Sequence, residues 1–92
     1  MSVAERIREK LNAALSPETL EVKDESHLHA GHAGARPGGE SHFRLRVVAA
    51  AFEGKTRVAR QRLVNAALKD ELAGPVHALA MATLTPSEAA AE

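Results

Sequence analysis

With 92 residues the chain has room for one domain and one modest core, since a chain of this size buries only about 60–65% of the surface its unfolded form exposes. The hydrophobic share is 45%, but 19 residues are Ala and the aromatics are two Phe, so stability has to come from close backbone packing rather than from bulky side chains. There is no cysteine and the formal charge is zero, which excludes a disulfide framework, a cysteine nucleophile and a self-sufficient thiolate metal site, and argues against a general nucleic-acid binder.

Ser2-Val3-Ala4-Glu5 reads as a capping box, with Ser2 as N-cap and Glu5 reaching back. Val3, Ile7, Leu11 and Leu15 recur at spacing four and predict a helix with one buried stripe. Ser16-Pro17 ends it, because the residue before a proline is pushed out of the helical region. This first segment is charged and amphipathic and lacks an apolar h-region. No apolar run approaches the roughly 20 residues of a membrane span, so a soluble cytoplasmic protein is expected, with no membrane contact.

Thr19 to Lys23 alternates Leu20 and Val22 with polar neighbours and predicts a short strand. From Asp24 to Ser41 the chain is polar and rich in glycine (Gly31, Gly34, Gly38 and Gly39, with Pro37). Such a segment is too long for a connector in a small domain, so it is expected to be functional or mobile, and poorly ordered over residues 27–40 without a partner. His42 to Val47 alternates strictly and predicts a second strand, with Phe43, Leu45 and Val47 facing the core.

Glu53-Gly54 marks a turn, and Thr56 is the N-cap expected for the next helix. Val64, Leu68 and Leu72, with Leu63 and Ala67 beside them, give that helix a broad buried side, and Ala73-Gly74-Pro75 breaks it. Val76 to Leu84 is a last strand made largely of small residues. Residues 1–86 are expected to form the domain, and residues 87–92 a disordered, frayed tail. The order α-β-β-α-β, with the third strand reached by a right-handed crossover, predicts an α+β domain: a three-stranded mixed sheet with helices packed on one face.

Without thiols, the five histidines are the soft ligands available. His27 follows an acidic run and reads as a surface residue, and His42 falls on the polar face with Arg44 and Arg46 and reads as solvated. His29 and His32 stand three apart in the long loop, a weak metal signal against a plain polar loop. His77 lies in an apolar strand, where a hydrogen-bonded structural histidine competes with a ligand. No catalytic constellation emerges: Ser26 beside His27 has no third group, and Gly54-Lys55-Thr56 lacks the upstream glycine of a phosphate loop. Between Phe43 and Lys69, seven basic residues stand against one acid, Glu53, as a solvated face or an attraction for an acidic partner.

Leu20-Glu21-Val22-Lys23-Asp24-Glu25-Ser26, His29-Ala30-Gly31-His32, Gly39-Glu40-Ser41-His42-Phe43, Phe52-Glu53-Gly54-Lys55-Thr56, Arg60-Gln61-Arg62-Leu63-Val64 and Val76-His77-Ala78-Leu79 together resemble the BolA family, in its order and across nearly the whole chain. The resemblance implies a fold similar to the class II KH domain, with a short extra helical turn after the long helix. It implies a non-enzymatic partner of monothiol glutaredoxins carrying Cys-Gly-Phe-Ser, sharing a bridging 2Fe–2S cluster in iron–sulfur trafficking or iron sensing. His77 corresponds to the family's cluster ligand in the His-Ala-Leu segment; the loop ligand corresponds to His29, with His32 as the alternative. Such a cluster takes four ligands, commonly thiolates, so in a chain without cysteine the thiolates have to come from the glutaredoxin and glutathione. The family's Arg-His-Arg is Arg60-Gln61-Arg62 here, and Gln neither titrates near neutrality nor ligates as an imidazole.

The competing expectation is a DNA-binding transcriptional regulator, resting on the KH-like fold and on Lys55, Arg57, Arg60 and Arg62. Against it, the chain has no aromatic stacking platform. Alone, the chain is expected to be a monomer or weak homodimer.

Overall fold

The computed structural model describes residues 2–25 and 41–92. In chain order the elements are α1 (Val3–Leu15), β1 (Thr19–Asp24), β2 (His42–Val48), a 3-10 turn (Ala50–Phe52), α2 (Arg57–Ala67), α3 (Lys69–Ala73), β3 (Ala78–Leu84) and α4 (Pro86–Ala90). The expectations placed on residues 26–40 lie outside the described residues.

Helix α1 starts where Ser2 Oγ accepts the Glu5 N–H at 3.1 Å, and the Ser2 hydroxyl lies 3.2 Å from Glu5 Oε1. All four members of the spacing-four stripe, Val3, Ile7, Leu11 and Leu15, are buried. The helix ends as Ser16 enters the left-handed region (φ 45°, ψ 55°) with its N–H on the Asn12 carbonyl at 3.1 Å. Pro17 then prevents a further turn.

The sheet order is β1-β2-β3, with β1 antiparallel and β3 parallel to the central β2. Register places Leu20 opposite Val47 and Val22 opposite Leu45, then Phe43 opposite Leu79 and Leu45 opposite Met81. These residues share one face, and the α1 stripe packs on it with Val64 of α2 and Leu68. Phe52, fully buried, enters the same core from the 3-10 turn. The expected α+β domain, a mixed three-stranded sheet with helices on one face, is the observed architecture. Among the described residues, no helix is long and apolar enough to cross a membrane.

Three boundaries differ from the reading of the residues alone. The long helix divides at Leu68, whose backbone (φ −104°, ψ 20°) leaves the helical region before α3 resumes at Lys69, in keeping with the short extra helical turn that the resemblance implies. Strand β3 begins at Ala78 rather than Val76, because the His77 and Ala78 amides both turn to the Ser41 carbonyl (2.8 and 3.3 Å). Residues 87–92, expected as a disordered tail, instead carry most of α4. Thr85 Oγ1 accepts the Glu88 N–H at 3.2 Å while Glu88 Oε1 accepts the Thr85 N–H at 2.9 Å, and Pro86 opens the helix. Arg60 then anchors α4 through both Glu88 oxygens, at 2.6 and 3.3 Å.

Each outer strand of the sheet also has an arginine on a backbone carbonyl. Arg8 of α1 donates to Val22 O at 3.4 Å, and Arg60 of α2 to Thr83 O at 3.0 Å. A second ionic tie joins α1 to α3: the Glu71 carboxylate, 5% exposed, meets Lys10 Nζ at 2.8 Å and Arg6 Nε at 3.8 Å. The Glu71 hydrogen bond raises the Lys10 ammonium above its usual range.

Two predictions follow from these ties. Lys10→Met leaves the Glu71 carboxylate buried with Arg6 as its remaining counter-charge, and should lower the melting temperature by several degrees at neutral pH. Adding Glu71→Leu should restore most of the loss, because an apolar replacement removes the uncompensated charge. Circular-dichroism melts of the single and double variants decide it; a double variant no more stable than Lys10→Met would locate the defect elsewhere.

The second concerns Glu88, whose carboxyl is held at about 2, well below its ordinary 4.5, first by the Arg60 hydrogen bond and then by the Thr85 amide. Its folded value lies below its unfolded one, so its contribution is present above pH 4.5 and is lost as pH falls toward about 2. The α-carbon chemical shifts of Pro86–Ala90 should move toward random coil across that interval, and Glu88→Gln should produce the same loss at neutral pH. Helical shifts persisting in Glu88→Gln would mean that the carboxylate does not hold α4.

Candidate functional site

The parallel β2–β3 register sets His42 opposite Ala78, so His77 arrives beside His42 one residue before the ladder begins. The two imidazole rings lie 6.4 Å apart, centroid to centroid, with planes 29° from parallel. His42 is half-buried and His77 exposed.

One buried residue organises both histidines. Ser41 is fully buried; its carbonyl accepts the His77 and Ala78 amides, and its hydroxyl lies 2.9 Å from His42 Nδ1. From the other side, the His42 carbonyl accepts the Glu25 amide at 2.8 Å, and Glu25 in turn forms a two-oxygen pair with Arg44 Nε at 3.2 Å. His77 is aimed outward by its neighbour: Val76 is buried in the core, with its N–H on the Glu71 carbonyl at 3.0 Å, and the extended chain alternates direction at the next residue.

Among the sequence-derived candidates, His77 is therefore a surface imidazole on a fixed backbone, while His29 and His32 lie outside the described residues. His42, read from its strand position as solvated, turns out to be the neighbour of His77. The pairing depends on a strand register formed across the intervening helices, which local alternation does not carry. Among the described residues, no group of three or more His, Asp or Glu converges to hold a metal ion. The two adjacent imidazoles are nitrogen donors of the kind that suits transition metals.

The basic stretch divides between two surfaces. Arg44 and Arg46 stand on the sheet face opposite the helices and are paired, Arg44 with Glu25 and Arg46 with Glu21 at 3.6 Å and with Glu92. The Glu92 hydrogen bond raises the Arg46 guanidinium further above its usual range. Lys55, Arg57 and Arg62 are exposed on the α2 side. Arg60 is engaged three ways, with the Lys55 carbonyl (3.0 Å), the Thr83 carbonyl and Glu88, and its side chain is 12% exposed. Arg57, Arg60, Gln61 and Glu88 line a cleft of about 540 Å³ between α2, β3 and α4.

Comparison with known proteins bears on the whole of this arrangement. Residues 11–88 match the family described as BolA-like protein. The chain is 54% identical over 82 residues to human BolA-like protein 1, covering 89% of this chain and 57% of that protein. It is also 51% identical over 87 residues to the chloroplastic and mitochondrial SufE-like protein 1 of Arabidopsis thaliana, covering 90% of this chain and 24% of that protein. The solved BolA domain of SufE1 from the same plant superposes with a TM-score of 0.86 at 49% identity, over 96% of each chain. The chain thus spans little more than half the length of the human relative. Family match, sequence identity and fold agree: the chain belongs to the BolA-like protein family.

Proposed function

We propose that this protein is a non-enzymatic adaptor that docks on a monothiol glutaredoxin carrying Cys-Gly-Phe-Ser and shares a bridging 2Fe–2S cluster with it, to which His77 gives an imidazole ligand. The observation that carries the reading is His77 itself: an exposed imidazole on a backbone fixed by Ser41, beside a second histidine, in a chain without a thiol. That donor set fits such a cluster only when it is shared. Imidazole replaces thiolate at some positions of known 2Fe–2S centres, and the remaining ligands have to be thiolates of the glutaredoxin and of glutathione. Nitrogen ligation raises a cluster's potential relative to four thiolates, which gives the mixed complex properties that a glutaredoxin pair alone lacks.

The chain's own contribution is positional. Val76 seats the segment in the core, the Ser41 carbonyl fixes the His77 amide, and the side chain meets a partner with little left to order. The family resemblance adds His29, or His32, as a loop ligand. A relative in which the same domain is part of a SufE-like protein is consistent with an iron–sulfur setting. The DNA-binding reading draws on four cations, and one of them, Arg60, is already committed to α4 and to the edge of β3.

The test is anaerobic cluster reconstitution with a Cys-Gly-Phe-Ser glutaredoxin and glutathione, followed by visible absorption and circular dichroism. His77→Ala should abolish the spectrum of the mixed complex, whereas its own melting curve should shift little, as is usual for an exposed position, about 0.5 kcal/mol or less. An intact cluster spectrum together with a sharp fall in melting temperature would make His77 a structural residue and overturn the reading.

A further inference from the structure

We propose that the outer side of α2 near its start, built from Lys55, Arg57, Val58 and Arg62, is a second docking surface. Its occupant is an acidic helix of a partner protein other than the glutaredoxin. The surface itself stands apart from the reading of His77 above; that both partners are held at once rests on that reading.

The first observation is which charges are left unanswered. Arg6, Lys10, Arg44, Arg46 and Arg60 each have a carboxylate partner. The exposed side chains of Lys55, Arg57 and Arg62 have neither an ion pair nor a hydrogen bond among the described residues. Helix α2 contains no Asp or Glu that could answer them from within.

The second is that these cations do nothing for the free fold. The positive end of a helix dipole favours acids, yet α2 begins on Arg57, with Lys55 just ahead of the Thr56 cap. A carboxylate brought from outside satisfies the cations and the dipole together.

The third is Val58, the large apolar side chain left exposed among the described residues, at 55%. It lies one turn from Arg62 on the same side of α2. An apolar centre with a polar rim is the anatomy of a protein interface. A phosphate backbone offers charge but no apolar surface to cover Val58, and Arg60 of the same helix is already held by Glu88 and the Thr83 carbonyl. The occupant that fits is a helix with Glu or Asp at i and i+4 beside an apolar residue, a spacing that matches the turn from Val58 to Arg62.

Position keeps the two partners apart. Arg60 ties this end of α2 to Thr83, near the end of β3, whereas His77 precedes the strand's start. At about 3.3 Å per residue, these points lie roughly 20 Å apart along the strand. A partner centred on His77 and one centred on Val58 occupy opposite ends of the sheet.

The probe is a stapled helical peptide with Glu at i and i+4 around a Leu, titrated into the isotope-labelled full chain and followed by amide chemical shifts. Shifts should move over Lys55–Arg62 and stay fixed at His77. Arg57→Gln/Arg62→Gln should weaken binding about tenfold, yet melt no lower than the wild type, since it removes cations that oppose the dipole. Val58→Ser should also weaken binding about tenfold. The preformed complex with a Cys-Gly-Phe-Ser glutaredoxin should bind the peptide as tightly as the free chain. No binding of the peptide, or binding indifferent to Val58→Ser, would overturn the surface. A random-sequence DNA duplex that binds more tightly at physiological salt, and ignores Val58→Ser, would assign these cations to nucleic acid instead. Loss of peptide binding in the glutaredoxin complex would refute a separate partner. Failure of that complex to form would sink the adaptor reading alone, because the titration of the free chain still decides the surface.

Discussion

The parallel ladder between β2 and β3 is the constraint on which the molecule depends. A parallel pair cannot be closed by a tight turn, so the chain has to leave the sheet after Val48, cross one face through α2 and α3, and return to it at Ala78. That excursion is what puts Val64 and Leu68 over Phe43, Leu45 and Val47, on the same face as the α1 stripe. It also carries residue 77 back to residue 41. Core and site are thus two results of one pairing, and a register slip would both turn the apolar faces outward and part the two histidines.

Such a chain has little bulk with which to hold this pairing. Two Phe, one of them delivered by a 3-10 turn, are the largest apolar side chains in a core otherwise made, among the described residues, of Leu, Ile, Val and Ala49. Polar ties between helices supplement the packing. Glu71 links α3 to α1, and Arg60 links α2 to α4 and to β3, so the two long helices are each fastened at a point distant in sequence.

How much of this could be read beforehand follows from the range of each interaction. The α1 stripe, the Ser16-Pro17 stop and the alternation of β2 are local, and they stand where the residues put them. The break at Leu68 is a backbone departure inside an unbroken apolar pattern, so periodicity passes over it. Thr85-Pro86-Ser87-Glu88 carries a complete local start signal, yet the alanines after it read as a frayed end; the Arg60 anchor lies 28 positions upstream. At the site, family resemblance rather than spacing points to His77, since a lone histidine in an apolar strand has no distinguishing period. His42 reads as solvated from its strand position, because its partner becomes a neighbour only through the crossover.

An open sheet of three strands has two outer edges, and each edge offers backbone carbonyls on which another extended chain can assemble. Here Arg8 lies on the carbonyl of Val22 and Arg60 on that of Thr83, each guanidinium reaching down from a helix across the strand it guards. At Thr83 the guard is itself locked by Glu88. A strand adding to either edge at these positions has to displace an arginine first, and on the β3 side it must also break an ion pair. The same helices that close the core therefore oppose growth of the sheet by strand addition, the route by which small, open β-containing domains polymerise.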